Sequence, residues 1–256
     1  MKHGVLFALV IAAATGCTKS NDDNRPIGTG GPPGGNGNGG GGGDDDGGST
    51  GDGGTTGGAS RVCLASDPTK FTDPYTSCET GGLSLGYNLT LDADPTKITL
   101  ADDGTFTVPG DIQFNPGAYW HVSGTGAVPS LVPVAQGQYV LPLISTTDYN
   151  TLAMNNGPIV PNGGAVFVHV VNSAGVPVQQ VGATSVPAGA TVFYDAGAGE
   201  WSNNAGAKTA STGEIWIPNI VASSVTIELV HQTEMVELSN ITVVNGSNTY
   251  VTAVIK

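Results

Sequence analysis

The sequence predicts an all-β protein: two tandem antiparallel β-sandwich modules behind a disordered Gly/Asp-rich tether. Residues 61–256 break into short apolar or alternating runs with Gly, Pro and Asn between them, the mark of strands and turns. Thr and Val abound there, while the Glu, Lys, Arg and Leu on which helices lean are scarce. No window of twelve residues shows convincing 3.6-residue periodicity. The 256 residues carry a net charge of −13 with only 8 Lys+Arg. So few cations leave no basic stripe, and nucleic acid is excluded as a partner class.

The first element is a leader, residues 1–16. Lys2 and His3 precede ten uninterrupted apolar residues, Val5 to Ala14. Ten helical residues reach about 15 Å, half of a bilayer core, so the run fits a secretory h-region rather than a membrane span. The residues that follow, Ala14-Thr15-Gly16-Cys17, resemble the bacterial lipobox. Small residues before Cys17 match that pattern, while Ala14 stands where Leu is usual. The resemblance implies cleavage before Cys17 and acylation of that cysteine; an ordinary secretory leader with an incidental cysteine is the rival. Thr18, rather than Asp, follows Cys17. By resemblance to the sorting rule of enteric bacteria, this implies the outer membrane or the cell surface.

The second element, residues 17–60, is the tether. Eighteen of the 31 residues from Gly28 to Gly58 are Gly, and apolar residues to bury are missing. Such a segment cannot offset the entropy of ordering its backbone. Its 44 residues would span roughly 35–40 Å as a coil and about 145 Å at full stretch. The Asp44-Asp45-Asp46 run reads as solvation of a linker. The tether carries a net −4 and residues 61–256 a net −10, so the acidity belongs mostly to the body.

Cysteine arithmetic follows from the lipobox reading. Three cysteines in an exported chain leave one over unless one has another role. Acylation removes Cys17, and Cys63 and Cys78 are then expected to pair in an oxidising compartment. Closing that loop of 15 positions contributes about 3 kcal/mol by chain entropy. A two-cysteine metal site lacks partners, because no His lies between Arg61 and Tyr119.

The body divides at the turn-rich stretch Asn155 to Gly164, giving modules at 61–157 and 164–256. An internal repeat supports the division. Ala101-Asp102-Asp103-Gly104-Thr105-Phe106-Thr107-Val108-Pro109 parallels Ala210-Ser211-Thr212-Gly213-Glu214-Ile215-Trp216-Ile217-Pro218. Each reads as a turn feeding a half-buried strand that Pro ends. In the second module, Val166 to Val171, Asn172-Ser173-Ala174-Gly175-Val176-Pro177-Val178, Gly189-Ala190-Thr191-Val192 and Thr212 to Pro218 follow one familiar order. That order resembles the carboxypeptidase regulatory-like module, a transthyretin-type seven-stranded sandwich. Leader, tether and paired modules together look like surface lipoproteins of the myxobacterial type. The resemblance implies non-catalytic spacer or binding units.

Gly82-Leu83-Ser84-Leu85-Gly86 matches the nucleophile elbow, but Tyr87-Asn88-Leu89-Thr90-Leu91 continues as strand where that turn demands a helix. His231-Gln232-Thr233-Glu234 matches a zinc pair, yet only 22 residues follow and none is His; a polar hairpin turn explains it. His121, His169 and His231 offer a three-His site on spacing alone, while His169, opposite in facing to Val168 and Val170, reads as a solvent-facing imidazole. Asp92-Ala93-Asp94-Pro95 breaks the EF-hand pattern at its Pro. Lys208 and Lys256 are wrongly placed for a strand-to-strand isopeptide bond. Trp201, after Gly197-Ala198-Gly199-Glu200 in an expected loop, is the one candidate ligand contact, for sugar or peptide.

The expectations are therefore a lipid-anchored, non-enzymatic envelope protein, with no catalytic residue, cofactor or metal. A carbohydrate- or peptide-binding lipoprotein is the alternative, and a hydrolase the less favoured one. The expected partners are the membrane, through the anchor, and a surface protein or glycan.

Overall fold

The computed structural model describes residues 60–65, 78, 86–92, 94–107, 117–134, 140–157, 160 and 163–256. The leader, Cys17, tether residues 17–59 and Ser84 lie outside the described residues; Ser60, the last residue of the expected tether, opens β1. Within them the chain is all-β with one helix. The first half carries β1 (Ser60–Ala65), β2 (Tyr87–Leu91), β3 (Asp94–Ile98), β4 (Thr105–Phe106), β5 (Tyr119–Gly124), β6 (Ala127–Val128), β7 (Ser130–Pro133) and β8 (Val140–Ser145). Helix α1 (Thr146–Asn156) follows. The second half carries β9 (Gly164–Asn172), β10 (Gly182–Ser185), β11 (Phe193–Gly197), β12 (Glu200–Ser202), β13 (Glu214–Ile220), β14 (Ser224–His231), β15 (Glu234–Thr242) and β16 (Asn248–Ile255).

These strands form three sheets. A four-stranded sheet runs β4-β1-β8-β6, a three-stranded one β10-β14-β15, and a nine-stranded one β12-β11-β13-β9-β16-β7-β5-β2-β3. The large sheet crosses from one half to the other where Asn248 and Thr249 of β16 pair with Ser130 and Leu131 of β7. The two halves therefore share a sheet. Most pairs are antiparallel, as the sequence predicts, but β1–β8, β16–β9 and β16–β7 are parallel. Only distant chain segments can meet this way, since parallel neighbours need a long crossover.

The reason lies in the apolar run of β9. Ala165 to Val168 are all fully buried, the pattern of a strand covered on both faces. Its residues alternate between two cores. Ala165 and Phe167 join Trp216, Tyr250 and Phe193 in a core shared with the first half, including Leu89, Trp120, Leu141 and Leu152. Val166, Val168 and Val170 join Ile215, Ile217, Ile227, Leu229 and Ile255 beneath the three-stranded sheet. Burying each such side chain contributes about 1.5–3 kcal/mol, so β9, β13 and β16 hold both cores together. Two phenols tie the layers across. Tyr119 Oη accepts from Thr242 N at 3.0 Å, and Tyr194 Oη accepts from Ala183 N at 2.9 Å.

Helix α1 is a correction to the reading without helices. Its Thr- and Asn-rich sequence has low helix propensity, and only Tyr149, Leu152 and Ala153 are buried. Capping and packing hold it instead. Ser145 Oγ accepts from Asp148 N at 3.1 Å, and Gly157, at φ 125°, donates its N–H back to Ala153 O at 2.8 Å.

Candidate functional site

Cys63 lies in β1, fully buried, and is joined to Cys78 by a disulfide with Cα atoms 4.5 Å apart. The expected pairing is present. It ties β1, an inner strand of the four-stranded sheet, to Cys78.

Trp201 sits differently from expectation. It belongs to β12, opposite Asp195 of β11, rather than to an open loop. Its ring packs 6.2 Å from Phe167 and 5.9 Å from Trp216, centroid to centroid. The neighbouring rings extend this cluster: Tyr250 stacks on Phe167 at 5.0 Å and Tyr149 meets Trp216 edge-on at 6.2 Å. A short hairpin through the left-handed Ala198 and Gly199 folds Trp201 back over the core. It is half-buried, with its indole N–H enclosed.

The three histidines stand apart, each with its own carboxylate or turn. His121 Nε2 pairs with Asp92 Oδ1 at an exposed site, while Tyr119 N donates to the other oxygen of Asp92 at 3.0 Å. His169 Nδ1 contacts Glu214 Oε1 at 2.5 Å across β9 and β13. That imidazole is not solvent-facing, as read from the alternation: its side chain is 18% exposed and Glu214 is fully buried. His231 and Glu234 flank the two-residue turn Gln232-Thr233, which is the expected hairpin. Among the described residues no three metal-ligating side chains converge.

Asp195, almost fully buried, clamps the turn before β13. Its carboxylate accepts from Ala210 N at 2.6 Å, Thr212 N at 2.8 Å and Thr212 Oγ1 at 2.7 Å. Buried Thr209 and Thr249 are likewise satisfied, with hydroxyls donating to Val178 O and Thr242 O. Against that background one cluster differs. Ser130 Oγ, both polar atoms of the Asn248 carboxamide, and Tyr250 Oη are buried without a hydrogen-bond partner. They meet at the seam, where Asn248 pairs with Ser130 and Tyr250 follows two residues along the same face. The Asn248 carboxamide and the Ser130 hydroxyl both stand close to the Tyr250 hydroxyl.

Burial pushes the Tyr250 phenol well above its ordinary range, partly offset by Asn248 and Ser130. Burial also pushes Tyr149 up to about 12, offset by the Trp216 indole. Beside the cluster a cleft of about 210 Å³ opens, lined by Val128 and Tyr149 from the first half and Gly163, Gly246 and Asn248 from the second. Nothing in the sequence marks Asn248 as buried: it opens a strand after a Gly-Ser turn, where an exposed Asn is ordinary. Only the β7–β16 pairing places it inside.

No protein-family model matches the chain, and no curated protein does. Among solved structures, a streptococcal ancillary pilin is similar at 12% identity and TM-score 0.24, over 77% of this chain and 68% of that one. The Bacillus anthracis TIE protein follows at 12% identity and TM-score 0.21, over 78% of this chain and 33% of that one. A fimbrial protein of Bacteroides ovatus stands at 11% identity and TM-score 0.20, over 77% of this chain and 48% of that one.

Proposed function

We propose that the protein is a lipid-anchored, non-enzymatic module of the bacterial cell envelope that serves adhesion or structural interaction. One observation carries the reading: a disulfide-bonded β-body stands behind a Gly-rich segment whose first residue is the lipobox-type Cys17. The disulfide fits an oxidising compartment, and the arithmetic of three cysteines leaves Cys17 for the acyl chains. Several acyl chains on one residue hold a protein to a bilayer effectively permanently, whereas one holds it only marginally. The tether then sets how far the body stands from the surface. In this reading the carboxypeptidase regulatory-like resemblance of residues 164–256 describes a spacer or binding unit, and the net −10 of the body keeps it soluble beside its neighbours.

The test is metabolic labelling with radioactive palmitate in a bacterial host. Wild-type protein is expected to carry label and sediment with membranes, and Cys17→Ala to lose both. Membrane attachment of an unlabelled wild type would remove the anchor from the reading. Protease shaving of intact cells then reports whether the body faces outward.

A further inference from the structure

We propose that His169 and Glu214 hold one proton between them and act as a latch, which makes the body firmest in mildly acidic surroundings and looser as pH rises past neutrality. The inference goes beyond the reading above and needs neither the anchor nor a partner.

The geometry comes first. His169 Nδ1 and Glu214 Oε1 lie 2.5 Å apart across β9 and β13, strands that contribute to both cores. Glu214 is fully buried, while the imidazole, 18% exposed, keeps a path to solvent. Taking the proton away leaves a buried negative charge facing a neutral ring, which is costly. Among the described residues, the groups that face the pair from neighbouring elements are one acid and neutral hydroxyls. Asp195 of β11 comes level with Glu214, because Tyr194 before it pairs with Ile215, and its carboxylate is held by the turn before β13. Tyr250 of β16 is near enough for Glu214 to act on its phenol, and Tyr149 of α1 packs on Trp216. Burial keeps both phenols neutral well past pH 7. Thr252 of β16, beside His169, carries no charge.

The proton count then fixes the sign. An unfolded chain gives up its Glu proton at about 4.3 and its His proton at about 6.5. Between those values the unfolded chain and the folded pair each hold one proton, so the pair adds no pH dependence. Above about 6.5 the unfolded chain holds none, while the folded pair keeps its own. Rising pH favours the state that binds fewer protons. The unfolding constant therefore climbs about tenfold per pH unit until the folded pair also lets go. The count is the same whether the shared proton sits on Nδ1 or on Oε1.

Urea unfolding of the full chain carrying Cys17→Ala, followed from about pH 6.5 to 8.5 with and without Glu214→Gln, tests the latch. Titrating groups common to both proteins cancel in the ratio of their unfolding constants. With an amide in place of the carboxyl, His169 is neutral in both states above about pH 6.5, and the latch is gone. Across that range the unfolding constant is expected to rise about a hundredfold more in the parent than in Glu214→Gln. A purely packing role would shift stability alike at every pH, so equal pH dependence overturns the proposal. Should Glu214→Gln fail to fold, long-range ¹H–¹⁵N spectra of the parent supply the second arm. The His169 ring, identified by its absence in His169→Gln, is expected to keep its nitrogen shifts from about pH 5.5 to 7.5. A change centred at about pH 6.5 overturns the proposal as well. Because the readout uses protein without lipid, that failure leaves the anchor reading untouched, and failed palmitate labelling leaves this one untouched.

Discussion

His169 and Glu214 stand side by side across two central strands, and their exposure records where the covering layer ends. Along that face of the sheet Phe167 is fully buried, the His169 side chain is 18% exposed, and Thr252 beside it is exposed. The imidazole thus sits at the margin, where it can reach both a buried carboxylate and the solvent. Removing it leaves Glu214 in the interior without that contact. His169→Ala is expected to lower stability by about 3 kcal/mol, and His169→Gln, which keeps a donor, by clearly less. Urea unfolding of the two variants checks this; equal loss would mean that volume, not the polar contact, is what matters. The alternation of β9 was legible in the sequence and correctly set His169 against Val168 and Val170. What covers that face was not, because the covering groups come from residues 62 to 152. Trp201 illustrates the same limit, since its Gly-rich approach reads as an open loop until the aromatic cluster is known.

At the scale of elements, the repeat of the two turn–strand units has a backbone explanation. Gly104 and Gly213 both take left-handed φ, 80° and 68°, immediately before β4 and β13. In each unit an aspartate ties the turn. Asp103 accepts from Thr105 N and Oγ1, bonds that hold its carboxyl below the usual range, while Asp195 reaches over from β11 to the second turn. A Cβ on Gly213 would lie 2.5 Å from Val170 O. Gly213→Ala is therefore expected to cost about 2–4 kcal/mol, strain and overlap combined. Gly189→Ala, equally left-handed at φ 79° but in open space, is expected to cost clearly less. Thermal unfolding of the pair separates overlap from strain, and identical losses would refute the overlap. Most strands were visible as period-2 runs bounded by Gly and Pro. Helix α1 was not, because its residues are poor helix formers and only three are buried. Its one local signal is Ser145 followed by Asp148, the capping pair.

For the whole molecule, the parallel joining of β16 to β9 and β7 decides what responds to solvent conditions. Tyr149 and Tyr250 lie beneath that junction, and both are harder to ionise than a free tyrosine because burial disfavours the phenolate. A group with a raised folded-state pKa contributes stability that is full below its unfolded value and disappears as pH rises toward the folded one. The tyrosine contribution is therefore expected to hold to about pH 10 and fall between there and about 12, by about 3 kcal/mol for Tyr149 alone. Absorbance of tyrosinate at alkaline pH should show two of the seven tyrosines ionising only with unfolding. Tyr250→Phe, which deletes a buried hydroxyl without a hydrogen bond, is expected to unfold at higher pH with little loss at neutral pH. A large neutral-pH loss would mean that the hydroxyl is satisfied in solution.

The same strand order also has a meaning in time. β16 is the last strand of the described chain, yet it occupies an interior place in the large sheet, between β9 and β7. Until residues 248–255 arrive, both neighbours present open edges and the two cores lack Tyr250, Val251, Ala253 and Ile255. Its partner β9 begins at Gly164, so the closing step joins segments some 80 positions apart. Strand β16 acts as a keystone, and a chain drawn out from its N-terminus completes this sheet only once residues 248–255 have passed.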